Sequence, residues 1–416
     1  MAKKRRRAVG RPRVLTRENT WQSLYESISD GSLIPIISNA VRLDSLFDVG
    51  YDGTYGRPAE DPPPNADLAE LFEGNLPINH QLAETWAHEL GYPLRDRCQM
   101  ARVADVDRRV YNPDTGRAKR NYLAFLKRAL LWWAEDDESA VERVNGLKPQ
   151  ALQNTSIGEM DNAQIQELDL YLAGSALSEI ALALGYPKFD ETYRDPLQVL
   201  AELPLPLYLT TCRHDFLERA LKDAGRTRVR TQVCHWFSDP VPAGADGPVS
   251  YGTLAVEHVP WSELDLNDPE QPVVYHLFGL DAYPSSLVVT EDDYLDFLAK
   301  VIREDSDQTG TVLPHTVRSA LIHSSVLLLG YRLQDWEFKV LFRGLLRDSA
   351  NRDKTRIVIQ LDPYKQACIQ GPDNPEPIHQ YLRKYFEPNY RVNWGTTEMF
   401  LDRLEQEWNS RRSEQP

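Results

Sequence analysis

Six short apolar runs, separated by longer stretches with helical spacing, constrain the fold of this 416-residue chain more than any other feature. Each run is rich in aliphatic residues and is followed by a polar residue or a glycine, which is typical of buried strands. Strands that alternate with helices predict an α/β fold built on an open parallel sheet with helices on both faces. The runs occupy residues 33–37, 205–210, 229–236, 273–277, 325–329 and 357–361.

The spacing of apolar residues divides the chain further. Between the first and second predicted strands the pattern is helical, which predicts an α-helical insertion or subdomain over 67–199. The sheet domain is then discontinuous and is formed by 18–50 and 200–410. In the second of these segments, the sequence from Thr290 predicts a capping box. That box would open a helix whose inward side chains are Tyr294, Leu295, Leu298 and Ile302.

Charge is distributed unevenly along the chain, whose formal net charge is −15. Residues 1–17 contain eight basic residues and no acidic one, and without them 39 basic residues face 62 acidic residues. Like-charge blocks are usually disordered, so we expect a disordered basic arm at 1–17. An acidic body disfavours a broad face for duplex DNA, because phosphate neutralisation requires clustered Lys and Arg. A nuclease is therefore the least favoured function, although the arm or an assembled complex could still contact nucleic acid.

The sequence lacks the usual signals of several other classes of protein. The sequence contains no apolar run of 18 residues and no apolar segment after its basic start, so we expect a cytoplasmic protein without a membrane span. The four cysteines form no CxxC pair, so we expect reduced thiols and no metal. Neither a GxxxxGK[ST] loop nor a GxGxxG loop is present, which weakens P-loop and standard dehydrogenase interpretations.

Candidate site residues follow the predicted strands. In an open parallel sheet, ligands bind at the carboxyl ends of the strands, where turn amides and helix N-termini converge. We therefore expect the site to draw on residues directly after four of the strands, namely Ser38, Asn39, Thr211, Cys212, His214, Asp215, His276, Gly279, Gly330, Tyr331 and Asp335.

Several of these segments resemble a known family. The sequences LYLTTCRHDFLERAL (207–221), VYHLFGLDAYPSSLVVTEDDYLDFL (274–298), VLLLGYRLQDWEFKVLFRGLL (326–346) and VNWGTTEMFLDRL (392–404) resemble, in order and spacing, the bacterial sirtuin-like NAD-consuming proteins of antiviral defence. The first strand, LIPIISNAVRLD (33–44), is similar to the branch encoded beside a HerA-type ATPase. The resemblance implies a Rossmann-like, sirtuin-like sheet.

The resemblance also implies roles for the candidate residues. His276, Asp215, Asn39 and His214 become the catalytic candidates, since histidines and carboxylates can handle the water and the ribose hydroxyls. Contacts to NAD are implied for Ser38, Asn39, Thr211, Cys212, Gly279, Gly330, Tyr331 and Asp335.

Simpler interpretations of the same residues remain open. His276 lies on one face of a strand with Val274 and Phe278 and is equally well interpreted as a core histidine. Asp215 is an alternative N-cap, as are Ser38 and Asn39. The family's asparagine and one of its histidines are replaced by Cys212 and Phe278.

The function that the resemblance implies is NAD glycohydrolysis. The chain would release nicotinamide as the effector of an anti-phage defence system, in a complex with a HerA-like hexameric ATPase. NAD would be its substrate, and the branch also implies a large homo-oligomer. The alternative is a catalytically weak subunit that binds NAD or ADP-ribose and regulates the ATPase, which the Cys212 and Phe278 replacements favour. The absence of a four-cysteine zinc module argues against a protein deacylase.

Overall fold

A central parallel sheet organises the computed structural model. The structure describes residues 20–47, 78–112, 115–189, 194–234, 236, 264–303, 313–333, 335–346, 357–361, 376–386 and 390–413. In this part of the chain seven strands pair in the order β3-β4-β2-β1-β5-β6-β7, and every pair is parallel. The strands are β1 (Leu33–Ile37), β2 (Leu207–Thr210), β3 (Arg230–Val233), β4 (Val273–His276), β5 (Ser325–Leu329), β6 (Ile357–Leu361) and β7 (Arg391–Trp394).

Helices connect these strands. They are α1 (Thr20–Ser29), α2 (Ala40–Phe47), α3 (Ile78–Glu89), α4 (Met100–Val106), α5 (Thr115–Ala134), α6 (Val141–Gly146), α7 (Asn162–Leu172), α8 (Leu177–Leu184), α9 (Pro196–Glu202), α10 (Phe216–Asp223), α11 (Glu291–Arg303), α12 (His315–His323), α13 (Trp336–Leu341), α14 (Glu376–Phe386) and α15 (Thr397–Ser413). Two π-helical turns, Asp107–Tyr111 and Phe342–Leu346, continue α4 and α13.

The fold class predicted from the sequence is confirmed. Alternate residues of the strands enter two separate cores, as in β1, where Leu33 and Ile37 face one side and Ile34 and Ile36 face the other. Helices cover both sides, because α1, α2, α5, α9, α10 and α15 contribute to the first core and α11, α12, α13 and α14 to the second. Burial on both faces explains why the strands are short runs of aliphatic residues without polar alternation.

All six predicted strands are present, and β7 is an additional one. The predicted bounds of β1, β5 and β6 agree with the structure, whereas the other three strands are shorter than predicted. The sequence RVNW of β7 mixes charged, amide and apolar side chains that are all half-buried. It pairs only with β6 among the described strands, and a four-residue strand at the sheet edge carries too little apolar pattern to be recognised.

Helices and short turns occupy the described residues between β1 and β2, in agreement with the predicted helical pattern. Their apolar side chains share one core with the sheet, since Leu126 and Leu131 of α5 belong to the same buried cluster as Leu33 and Tyr208. The division into a sheet domain and an insertion remains a prediction. The predicted basic arm lies outside the described residues, as do residues 51–66, whose Gly, Pro and Asp content predicts an exposed loop.

The predicted start of α11 is confirmed, but its inward face is different. Thr290 Oγ1 accepts a hydrogen bond of 3.1 Å from the Asp293 amide, and Asp293 Oδ2 accepts one of 3.0 Å from the Thr290 amide. The prediction of Leu295 and Ile302 as inward residues is wrong, because they are 49% and 56% exposed. The buried stripe instead consists of Tyr294, Phe297 and Val301, with Leu298 packed against it.

Among the described residues, no helix combines the length and apolar character required to cross a membrane.

Candidate active site

The carboxyl ends of β1, β2 and β5 bring several of the predicted residues together. In the sheet, β1 lies between β2 and β5, and the chain continues from β1 to the β2 side. The ends of these three strands therefore surround the switch point of the sheet, where open α/β sheets bind ligands. The Ser38 amide donates to the Leu329 carbonyl over 3.0 Å, and the Asn39 amide donates to Thr211 Oγ1 over 3.1 Å. Tyr331 joins them through its hydroxyl, which lies 3.4 Å from Thr211 Oγ1.

A residue that the sequence analysis missed, Glu337, occupies the centre of this group. Its Oε2 accepts hydrogen bonds from Ser38 Oγ (3.3 Å) and from Thr211 Oγ1 (3.1 Å), and its Oε1 lies 3.3 Å from Arg213 Nη1. Burial raises the pKa of Glu337, whereas Arg213 and the two hydroxyls oppose this shift. The available signal was its position in the first helical turn after β5, two residues beyond the predicted Asp335.

Two glycines permit close approach of the backbone. Gly330 has φ of +73°, and a Cβ there would lie 2.3 Å from Val41 Cγ2, so only glycine lets the end of β5 approach the start of α2. Gly279 has φ of +85°, and a Cβ there would lie 2.3 Å from the Ser286 carbonyl oxygen. Both predicted glycines therefore shape the loops that carry the site.

Asp335 is placed beside the group rather than in it. Its Oδ1 accepts a hydrogen bond of 3.4 Å from Asn79 Nδ2 on α3. Burial raises the pKa of Asp335 to about 7, even though Arg332 opposes the shift. Arg332 also donates to Asn79 and to Asp44, over 2.6 Å each, so this arginine ties α2, α3 and the loop after β5 together.

His276 is a fully buried histidine whose two ring nitrogens both have partners. Nδ1 donates to the Cys212 carbonyl over 2.7 Å, and Nε2 donates to Glu218 Oε1 over 2.8 Å. The carbonyl and the ionised carboxylate are both acceptors, so this geometry favours the imidazolium form. Burial alone would lower the pKa of His276, but the Glu218 carboxylate outweighs it and the pKa is raised. The arrangement matches the core-histidine interpretation, and it fixes the loop after β2.

His214 has the opposite arrangement. Its Nδ1 lies 2.7 Å from Asp281 Oδ2, and the carboxylate can only accept this hydrogen bond, so Nδ1 carries the proton. Its Nε2 is buried and has no hydrogen-bond partner within the described part of the chain. The Asp281 amide donates to the Arg213 carbonyl over 2.7 Å, which fixes the two loops to each other. A histidine that is oriented by a carboxylate and has a free Nε2 is the usual arrangement of a general base.

Asp215 and Cys212 flank these histidines. The Asp215 carboxylate accepts hydrogen bonds from Ser178 Oγ and, over 3.0 Å, from Arg219 Nε, and it makes no side-chain cap to α10. Burial and the nearby Asp281 carboxylate raise the pKa of Asp215 to about 6. Burial also raises the pKa of the Cys212 thiol to about 12, so this thiol stays protonated and is a poor nucleophile at neutral pH.

Phe278 offers no polar group to the site. Its ring is fully buried and packs edge-on against Tyr294 and Phe297, with ring centroids 5.4 Å and 5.1 Å away. The position at which the resembling family carries a histidine is thus part of the apolar core. His214 and His276 are the histidines that the structure places close to Cys212.

Several buried polar atoms near the carboxyl ends of the strands have no hydrogen-bond partner in the described residues, and they bear on whether a ligand fits there. Asn39 Oδ1 and both Nε and Nη1 of Arg42 are buried without hydrogen-bond partners in the described residues, as is His214 Nε2. Arg42 uses only Nη2 to bind Asp195, over 2.8 and 2.9 Å, and its guanidinium lies 5.3 Å from the Phe216 ring centroid. Buried polar groups are normally paired, so donors and acceptors left over here fit a polar ligand such as NAD.

A metal centre finds no support in the described residues. They contain no group of three or more His, Cys, Asp or Glu side chains placed to hold a metal ion.

Part of the chain is similar to a known protein family. Residues 206–386 match the family described as SIR2-like domain. No curated protein matches the sequence. The matched range contains His214, His276 and Glu337, whereas Ser38, Asn39 and Arg42 precede it. A SIR2-like domain indicates an activity related to NAD, and it supports the sirtuin-like resemblance of the strand-end motifs.

Proposed function

We propose that this chain, in which residues 206–386 match a SIR2-like domain, hydrolyses the nicotinamide–ribose bond of NAD. The observation that carries the proposal is the buried His214–Asp281 pair, which leaves Nε2 of His214 free beside the carboxyl end of β2. The same end of the sheet carries unpartnered polar atoms of Asn39 and Arg42, which are available to hold a polar substrate.

The proposed chemistry assigns one task to each side chain. His214 Nε2 accepts a proton from water while the water oxygen bonds to C1′ of the ribose, and nicotinamide leaves with the electrons of the broken C–N bond. Asp281 holds the Nδ1–H tautomer of His214 and stabilises the imidazolium that forms. His276 acts as a positioning residue, since it holds the Cys212 carbonyl in the loop that carries His214. The products are nicotinamide and ADP-ribose.

A second function, nucleotide binding without catalysis, is favoured by a different observation. The two positions at which the resembling family carries polar site residues are occupied here by Cys212, with a pKa of about 12, and by the fully buried Phe278. A chain of this kind would bind NAD or ADP-ribose and regulate a partner.

The proposed biological setting is anti-phage defence with a HerA-like ATPase as partner. Its support is the resemblance of the first strand, LIPIISNAVRLD (33–44), and of the strand-end motifs to the HerA-associated branch. This setting includes a cytoplasmic homo-oligomer. The basic residues 1–17 are candidates for contacts to the partner or to nucleic acid, which deletion of the segment would test.

The test measures nicotinamide release from NAD by chromatography, with the purified chain alone and mixed with the HerA-like ATPase. We expect release by the wild type and a decrease of about 10²–10⁴-fold in His214→Gln, because a general base contributes rate factors of this size. His88→Gln is the matched control, since His88 is exposed near the end of α3. NAD that persists in both mixtures would refute hydrolysis, and a fully active His214→Gln would refute the role of His214 as the general base. Calorimetric binding of NAD without release would favour the second function.

A further inference from the structure

The hydroxyls of Ser38 and Thr211 bind a carboxylate of the chain itself, that of Glu337. The sirtuin-like resemblance implied that the diphosphate of NAD would meet Ser38 and Asn39. In the structure, both hydroxyls instead donate to Oε2 of Glu337, over 3.3 and 3.1 Å. Carboxylates and phosphates are both hydrogen-bond acceptors, so a diphosphate can reach these hydroxyls only by displacing Glu337.

The charge of Arg213 is not available to a phosphate at these hydroxyls. Arg213 is the cation paired with Glu337, and its other nitrogens are already engaged. Nε and Nη2 donate to the Val288 carbonyl over 3.0 and 2.7 Å, and Nη2 donates to the Tyr294 hydroxyl over 2.7 Å. The positive charge of Arg213 is thus balanced by Glu337 and leaves no donor to a phosphate.

Two side-chain acceptors, by contrast, belong to residues that contact Thr211. Glu337 binds one side of the threonine hydroxyl, and the backbone amide of Asn39 binds the same oxygen over 3.1 Å. Asn39 is 6% exposed, and its Oδ1 has no partner in the described residues. The Glu337 side chain retains 12% exposure, so a ligand can reach it. A carboxylate and an amide oxygen on residues that both contact Thr211 fit a ligand that presents two hydroxyl donors.

We propose that Glu337 and Asn39 bind the vicinal diol of a ribose, and that Glu337 keeps the diphosphate away from Ser38 and Thr211. The inference rests on the proposed use of NAD and names Glu337 as a specificity-determining residue of that site. Hydroxyl donors to a carboxylate form charge-assisted hydrogen bonds, which are about twice as strong as neutral ones. The site is therefore selective for ribosyl ligands over free phosphates.

The experiment compares ADP-ribose, which offers diols and a diphosphate, with inorganic pyrophosphate, which offers only the anion. Calorimetry on the full chain is expected to show binding of ADP-ribose and not of pyrophosphate. Glu337→Gln is expected to weaken ADP-ribose binding about tenfold, since it replaces a charge-assisted acceptor, and to permit pyrophosphate binding. Glu398→Gln is the matched control, because Glu398 lies in the first turn of α15 directly after β7.

A second variant, Asn39→Ala, tests the inference even if Glu337→Gln fails to fold. The side chain of Asn39 has an unpartnered Oδ1, so Asn39→Ala retains the backbone bonds of this segment. We expect it to weaken ADP-ribose binding without creating pyrophosphate binding. The inference is overturned if the wild type binds pyrophosphate or fails to bind ADP-ribose, or if Glu337→Gln binds ADP-ribose as tightly as the wild type. These binding measurements need no turnover. If the expected binding pattern is found and no nicotinamide is released, the result contradicts hydrolysis and not this inference.

Discussion

Two histidine–carboxylate pairs lie near the carboxyl ends of β2 and β4, and they differ in whether the second ring nitrogen has a partner. His276 and His214 are 0% and 1% exposed, and each contacts a buried carboxylate within 2.8 Å. In the pair of His276 with Glu218, the Cys212 carbonyl satisfies the second ring nitrogen. In the pair of His214 with Asp281, the second ring nitrogen has no partner among the described residues.

This difference separates a stabilising pair from one that is available to a ligand. Both pairs are buried and both join a histidine to a carboxylate, so neither property explains which histidine can take part in chemistry. A ring nitrogen that is already donating to a carbonyl cannot accept a proton from water. An unpaired buried nitrogen carries an energetic penalty that a bound ligand or water can relieve.

The largest expected effect is on stability in His276→Ala. The substitution leaves the fully buried Glu218 carboxylate without its cationic partner, and removing one member of a buried ion pair typically costs about 3–5 kcal/mol. Urea denaturation followed by circular dichroism measures the free energy of unfolding. His88→Ala, at an exposed position, is the control and should stay within about 0.5 kcal/mol of the wild type. A loss of activity without a loss of stability in His276→Ala would reverse the roles of the two pairs.

The next effect is on activity in Asp281→Asn. An amide can no longer select the Nδ1–H tautomer of His214 by charge, so part of the contribution of the general base, which is about 10²–10⁴-fold, should be lost. Nicotinamide release from NAD gives the rate, and the free energy of unfolding is measured alongside. Unchanged release in a folded Asp281→Asn protein would exclude His214 as the oriented base.

Much of the architecture around these pairs could be predicted from the sequence. The bounds of β1, β5 and β6 follow from continuous aliphatic runs, which are local features of the chain. The carboxyl-edge rule then selected Ser38, Asn39 and Thr211, which the structure brings into one hydrogen-bonded group. Periodicity was less informative for α11, where Leu295 and Ile302 lie on the solvent side of the buried stripe.

The partners of these residues could not be predicted, because they come from distant parts of the chain. His214 and Asp281 are 67 residues apart, and His276 and Glu218 are 58 apart. Glu337 reaches Ser38 across 299 residues. Spacing within a helix or strand says nothing about contacts between loops at this separation. The sequence alone therefore could not distinguish the histidine with two partners from the histidine with one.

An intermediate effect is expected in the pH dependence of stability. Asp215 lies between the two pairs, and burial together with Asp281 raises its pKa from 3.8 to about 6. Between these values the unfolded chain releases a proton that the folded chain keeps, so this contribution to stability is complete below pH 3.8 and is lost as the pH rises toward 6. The slope is at most about 1.4 kcal/mol per pH unit.

Asp215→Asn isolates this contribution from other titrating groups. We expect the free energy of unfolding of the wild type, relative to Asp215→Asn, to decrease between pH 4 and pH 6, measured by urea denaturation at each pH. Parallel pH profiles for the two proteins would contradict the raised pKa of Asp215. They would also show that Asp281 does not act on it electrostatically.

The smallest expected effect is on stability in Thr231→Val. The Thr231 hydroxyl donates to Glu218 Oε1 over 2.9 Å, on the same oxygen that binds His276. Losing one hydrogen bond to a carboxylate that keeps its ion pair should cost about 1 kcal/mol, since net hydrogen-bond contributions are of this size. Thr227→Val is the matched control, because its hydroxyl is exposed and binds the Glu270 carbonyl, over 3.0 Å. Both variants should release nicotinamide at the wild-type rate. A slower release in Thr231→Val alone would mean that the Glu218–His276 pair also serves the chemistry, and the distinction between the two pairs would then fail.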